Sequence, residues 1–233
     1  MMIHGFKNII GPHVLQGSWL VGLAGLVWAN LVLAQDPKPD EGPTTPKAAL
    51  EQMRKAFESD DLASLAKLVP PPNDRPLAEL AEAFGKAKTA YNKLEQVIKD
   101  KPNLAFNNPF HPVVHPFSVM QLDVVEINQE GSRTLARIRF GPRGKPADEE
   151  VLLITPDGAT WRVTLPALLT KQLQRLTQQP EQLKREISQL DKLAQVLTKL
   201  ASEIEKNQIK SKELLLLHLA RLVDEYKLAE PEK

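Results

Sequence analysis

Cysteine is absent from the 233 residues. Disulfides, thiolate metal sites, a thiol nucleophile and a lipid-modified cysteine anchor are therefore excluded, and the redox compartment stays open. Aromatic residues are scarce at 5%, so the core has to be mainly aliphatic. Net charge is nearly absent as well: Lys+Arg 30 against Asp+Glu 29 leaves +1. A nucleic-acid footprint needs a basic excess gathered on one surface, and none is expected here. Glycine-rich phosphate loops, a Gly-x-Ser-x-Gly elbow and a His-Glu-x-x-His motif are missing, as is any internal repeat. No cofactor is expected. The remainder, 42% hydrophobic and 25% charged, is ordinary for a globular chain.

Residues 1–34 have the pattern of an export signal. Lys7 supplies the amino-terminal charge, 19–34 is a charge-free apolar run, and Val32-Leu33-Ala34 offers small residues for a signal peptidase. The run is shorter than the roughly 20 residues of a spanning helix, and Asn30 interrupts it. Cleavage after Ala34 and a periplasmic or extracellular product are the expectation. An uncleaved anchor, extended backwards by Ile9, Ile10, Val14 and Leu15, is the alternative, and only then is a membrane a partner. Residues 35–45 are acidic and proline-rich, and read as a linker.

Residues 46–165 read as an α+β domain. Thr45-Pro46 opens a helix with a buried stripe of Ala49, Leu50, Met53 and Phe57. Asp60-Asp61 opens a second, short helix. A third and longer one carries Leu77, Leu80, Ala81, Phe84, Ala87, Tyr91, Leu94 and Ile98 at spacings of three or four. Between 119 and 165, apolar residues alternate with polar ones in four runs separated by Gly- and Pro-containing turns. Such alternation predicts a four-stranded antiparallel meander with three amino-terminal helices packed on it. Residues 166–233 form an all-α extension. Leu183, Ile187, Leu190, Leu193, Leu197, Leu200 and Ile204 make its long helix, and 214–223 a last helix that returns after a turn near Asn207. Ala194, Ala201, Gln208 and Ser211 make a continuous long coiled coil weak. A closed hairpin predicts a monomer whose tail folds apart from the α+β domain or docks loosely on it.

Thr45-Pro46-Lys47-Ala48-Ala49-Leu50, the Asp60-Asp61-Leu62 turn and Asp157-Gly158-Ala159-Thr160-Trp161-Arg162-Val163 together resemble the nuclear transport factor 2-like group over about 46–165. The resemblance implies a cone in which a curved sheet wraps the long helix and leaves a cavity. Val69-Pro70-Pro71-Pro72-Asn73 is a poor strand where that group usually has one, and the helical extension lies outside its pattern.

Enzymes of that group place a carboxylate base and a hydrogen-bond donor inside the cone, which nominates Asp123 and, as the nearby phenol, Tyr91. Asp123 shares its phase with Gln121, Val125 and Ile127, opposite Met120, Leu122 and Val124, so a solvated carboxylate is the simpler reading. Tyr91 falls on the apolar stripe and reads as core. Arg133, Arg137, Arg139 and Arg162 on the sheet are candidates for an anionic ligand or a partner's carboxylates. Their plainer role is a solvated face paired with Asp123 and Glu149. His111 and His115 have metal-pair spacing only on a helix, which Pro112 and Pro116 argue against. No metal is expected, and 101–118 reads as a loop anchored by Phe106, Phe110 and Phe117, covering an end of the sheet. The favoured function is an exported, non-catalytic binding or assembly module of the cell envelope, with a protein or small ligand as partner. The alternative is a small-molecule-binding cone with isomerase- or hydrolase-like chemistry.

Overall fold

The structure, a computed structural model, describes residues 42–131, 133–145, 147 and 149–228. The expected export signal and most of the linker lie outside the described residues. Contacts gather the chain into two compact units, one of 42–81 with 116–179 and the other of 82–115 with 180–228.

The first unit holds the sheet. Thr45 Oγ1 accepts the Ala48 N–H at 3.1 Å and Pro46 occupies the first turn, which starts α1 (Pro46–Glu58) where the sequence expects it. Asp61 caps α2 (Leu62–Leu68) by accepting the Ser64 N–H at 2.9 Å. Between them Asp60 is buried at a φ of +51°, and its Oδ1 accepts the Phe117 N–H at 2.7 Å, so one carboxylate ties the α1–α2 turn to the entry of the sheet. The Phe57 ring on α1 meets Phe117 edge-on at 4.9 Å and Phe140 at 5.2 Å. Phe117 is thus a core anchor, as expected.

The expected fold class is the one observed: α+β, helices before and after a four-stranded antiparallel meander in the order β1 (Met120–Glu130), β2 (Arg133–Pro142), β3 (Glu149–Asp157) and β4 (Thr160–Val163). Gly131 and Gly158, each at a φ of +61°, stand in the turns after β1 and β3, a backbone that favours glycine. Leu122, Ala136, Ile138, Phe140, Leu152, Ile154 and Val163 are buried. The alternation is broken once, by a register shift between Val124 and Glu126 that leaves Val125 unpaired as a bulge. Trp161 is only half-buried: it pairs with Pro156 one step from the β3–β4 turn, and its backbone N–H donates to Pro43 O at 3.0 Å. Pro43, read from sequence as linker, is buried there. Helix α5 (Ala167–Gln178) follows, burying Leu169, Leu173 and Leu176.

The third helix, α3 (Asp74–Lys99), contributes 74–81 to the sheet unit and 82–99 to the helical one. In the helical unit a 3₁₀ turn (Pro102–Leu104), α4 (His111–Val114), α6 (Pro180–Glu205) and α7 (Lys212–Glu225) accompany it. The expected hairpin is formed. Asn207, at a φ of +57°, lies in the turn, and Ser211 caps α7. Glu203, its side chain only 13% exposed, joins both helices: Oε2 lies 2.7 Å from His218 Nδ1 and Oε1 accepts Arg221 Nη2 at 2.6 Å. The hairpin does not fold apart from the long helix. Lys93 pairs with Glu205 at 3.3 Å, Lys101 Nζ donates to Ile204 O and Asn207 Oδ1 at 2.7 Å each, and Asn103 Nδ2 donates to Lys210 O at 2.9 Å. The reason lies in α6, where Val196 and Ala201 are buried beside the expected leucines; its apolar surface is too wide for α7 alone. Among the described residues, no helix is long and apolar enough to cross a membrane.

Candidate functional site

On β2 Arg133, Arg137 and Arg139 share the face opposite the core, and β1 answers with acids in register: Asp123 opposite Arg139, Glu126 opposite Arg137, Glu130 opposite Arg133. Arg137 Nη2 donates to Glu126 Oε2 at 2.6 Å, and Arg139 Nη2 donates to Glu149 Oε1 at 2.8 Å. Arg162 donates from Nε to Asp157 Oδ2 at 2.8 Å and from Nη1 to the Lys67 carbonyl. Arg162 pairs with Thr155, whereas Arg139 pairs with Glu149 at the start of β3; six residues of strand separate those rows by ~20 Å. Three of the four guanidinium groups are therefore occupied locally, in two separate places. Asp123 is exposed, in keeping with its phase. Asp123 and Glu130 form no ion pair among the described residues; opposite Asp123, Arg139 turns to Glu149.

Tyr91 belongs to the helical unit and is buried, as its stripe position implies. Burial, and then the negative charge of Glu95, push its phenol well above the usual range. Asn108 is buried beside it, with Nδ2 donating to Glu95 Oε1 at 3.1 Å and Oδ1 accepting the Phe110 N–H at 3.1 Å. The histidines correct the sequence reading of 101–118. Pro112 stands in the first turn of α4, where its missing N–H leaves no bond unmade. One turn of helix therefore forms, and the His115 N–H donates to His111 O at 2.9 Å. The imidazole rings lie 4.7 Å apart, with Tyr91 at 6.0 Å from His111 and 5.5 Å from His115. Among the described residues, no group of three or more His, Asp or Glu side chains is placed to hold a metal ion. Glu95 also lines an open groove of about 500 Å³ with Asn92, Gln96, Lys99 and the half-buried Phe106. Neither Asp123 nor any sheet arginine lines it. Glu95 was not singled out in the sequence, because an acid on the polar side of an amphipathic helix looks like any other. Its partner Asn108 lies 13 residues away beyond the end of that helix.

A third feature is the edge of the sheet. Among the described residues, β1 pairs with no strand other than β2. Residues 123–130 are exposed one after another. Val124 and Ile127 pair with the buried Ile138 and Ala136, so they belong to the core face, yet they are 40% and 39% exposed; Val125 at the bulge is 39% exposed. The opposite edge differs. Strand β4 has four residues, its Trp161 N–H is taken by Pro43 O, and Gly42 lies so close to Thr160 that a Cβ there would come within 2.6 Å of the threonine methyl. Comparison with protein-family models, curated proteins and solved structures finds no match for the chain.

Proposed function

We propose that the chain is a non-catalytic binding or assembly module, exported to the cell envelope, and that it binds through the free edge of β1. One observation carries this reading: eight successive exposed residues on an edge strand that keeps apolar side chains in solvent. An open strand edge presents a row of backbone donors and acceptors, and natural sheets shorten, cover or charge such edges unless they are used. Here β4 is short and covered, while β1, though it carries acids and a bulge, is long and keeps Val124 and Ile127 in solvent. Adding a strand of a partner would complete the ladder and cover Val124 and Ile127. The test is a photoreactive residue in place of Val125 in the chain made in its own cells, with Lys171 on α5 as the exposed control. A discrete adduct from position 125 and none from 171 is the expected result. No adduct from 125 would overturn the proposal.

The Glu95 groove favours a second reading, a small-molecule site of the general kind that the nuclear transport factor 2-like resemblance suggests. In its favour is a carboxylate held by a buried amide, with a buried phenol beside it. On that reading Glu95→Gln abolishes ligand binding measured by calorimetry while Val124→Lys leaves it unchanged. The reverse pattern would eliminate it.

A further inference from the structure

We infer that the segment accepted by β1 alternates Lys or Arg with aliphatic residues; this deepens the edge-binding reading and rests on it. Side chains of a strand point alternately to its two faces, and neighbours on either side meet the same two rows. The β1 rows are Asp123, Glu126 and Glu130 on one face and Leu122, Val124 and Ile127 on the other. On its paired side β2 answers with Arg139, Arg137 and Arg133 on the first face and with Phe140, Ile138 and Ala136 on the second. A strand on the free side meets the same demand.

The demand is only partly met from within the chain. Glu126 has Arg137, but Asp123 and Glu130 have no ion pair among the described residues. Val124 and Ile127 keep about two-fifths of their surface in water. A basic-apolar strand would supply cations to the first row and cover the second. A second copy of β1 would not: antiparallel, it sets an acidic row against an acidic row, and like charges directly opposite destabilise a sheet; parallel, it turns over and sets the apolar row beside the acids, which leaves them without cations. The bulge between Val124 and Glu126 sets the register separately on its two sides, which favours a short partner strand over a long one.

Three fluorescent peptides test this on the purified protein by anisotropy: an alternating Lys-Val-Arg-Ile repeat, its Glu-Val-Asp-Ile counterpart, and a scramble of the first with its charges in one block. The basic repeat is expected to bind at least about tenfold more tightly than either other, and to weaken with salt. Asp123→Lys with Glu130→Lys should reverse the preference toward the acidic repeat. Val124→Lys with Ile127→Lys should weaken both, with circular dichroism showing that these surface variants remain folded. Equal binding of the acidic repeat, with the position-125 adduct still formed, overturns the charge rule and leaves the edge reading standing. Equal binding of the scramble means attraction to a charged surface without strand addition and overturns the inference. A wild-type dimer in light scattering that the Val124→Lys/Ile127→Lys variant loses overturns it in favour of a second copy. Binding of none of the peptides, with no adduct at 125, removes both.

Discussion

Glu186 lies on α6 between the apolar Leu183, Ile187 and Leu190, and burial alone pushes its carboxyl up to about 7. The folded chain therefore holds a proton that the unfolded chain releases nearer 4.5, and between those values folding is weakened as pH rises. Below about 4.5 the contribution is fully favourable, and above about 7 the whole cost is present. Glu186→Gln is expected to stabilise the chain at pH 8 by on the order of 1–2 kcal/mol, allowing for the solvent that still reaches the group. At pH 4.5 it should change little. Urea melts of both chains at the two pH values decide it, and an equal effect at both would contradict the cause given. Asp60 contributes through a hydrogen bond. Its carboxylate takes a buried backbone N–H, so Asp60→Ala should cost about 2–3 kcal/mol, and Asp60→Asn, which keeps an acceptor oxygen and tolerates the positive φ, should cost less. Single residues were unevenly legible. The exposure of Asp123 followed from its strand phase. The burial of Glu186 did not, because a position beside an apolar stripe is settled by whatever helix packs there. The turn of helix under the histidine pair was not legible, because Pro112 opens that helix at its first turn and does not break it.

At the scale of elements, the Phe57 ring is one of the anchors of α1 on the sheet unit. Phe57 is 3% exposed and packs on Phe117 and Phe140, so Phe57→Ala should cost about 3–5 kcal/mol. Half-buried Trp161 should cost clearly less on the same change, and exposed Arg137 should stay within about 1 kcal/mol despite its ion pair. Thermal melts of the three variants would expose a wrong assignment if Trp161→Ala proved the most damaging. The helices and strands were legible because alternation and the three-to-four spacing report burial on one side, and both sides of that inference hold here for Leu122, Ile138 and Ile154. What the pattern does not carry is position within the sheet. Val124 alternates as a core residue, whereas Ile127 alternates with Asp123 and reaches the core face only because the bulge at Val125 shifts the phase; being on the edge strand leaves both wet. The extent of β4 was likewise illegible, since Leu165 is buried without belonging to the strand.

For the whole molecule, the long helix divides between the two units. From residue 82 onward it groups with α6 and α7, so a chain ending at Gln179 should lose more helical dichroism than the removed helices account for. Retention of full α3 signal in that chain would contradict the observed packing. The isolated protein is expected to be monomeric in light scattering, because the acidic row of β1 opposes pairing with itself. The central claim concerns that edge, and amide hydrogen exchange resolved along β1 tests it most directly. In the free protein, the β1 amides that point away from β2 should exchange fast between 123 and 130, while the amides of β2 stay protected. With the alternating basic peptide bound, those same β1 amides should gain protection and the residues around Glu95 and Phe106 should not change. Protection already present in the free chain, or arising at the groove while β1 stays open, would contradict the account.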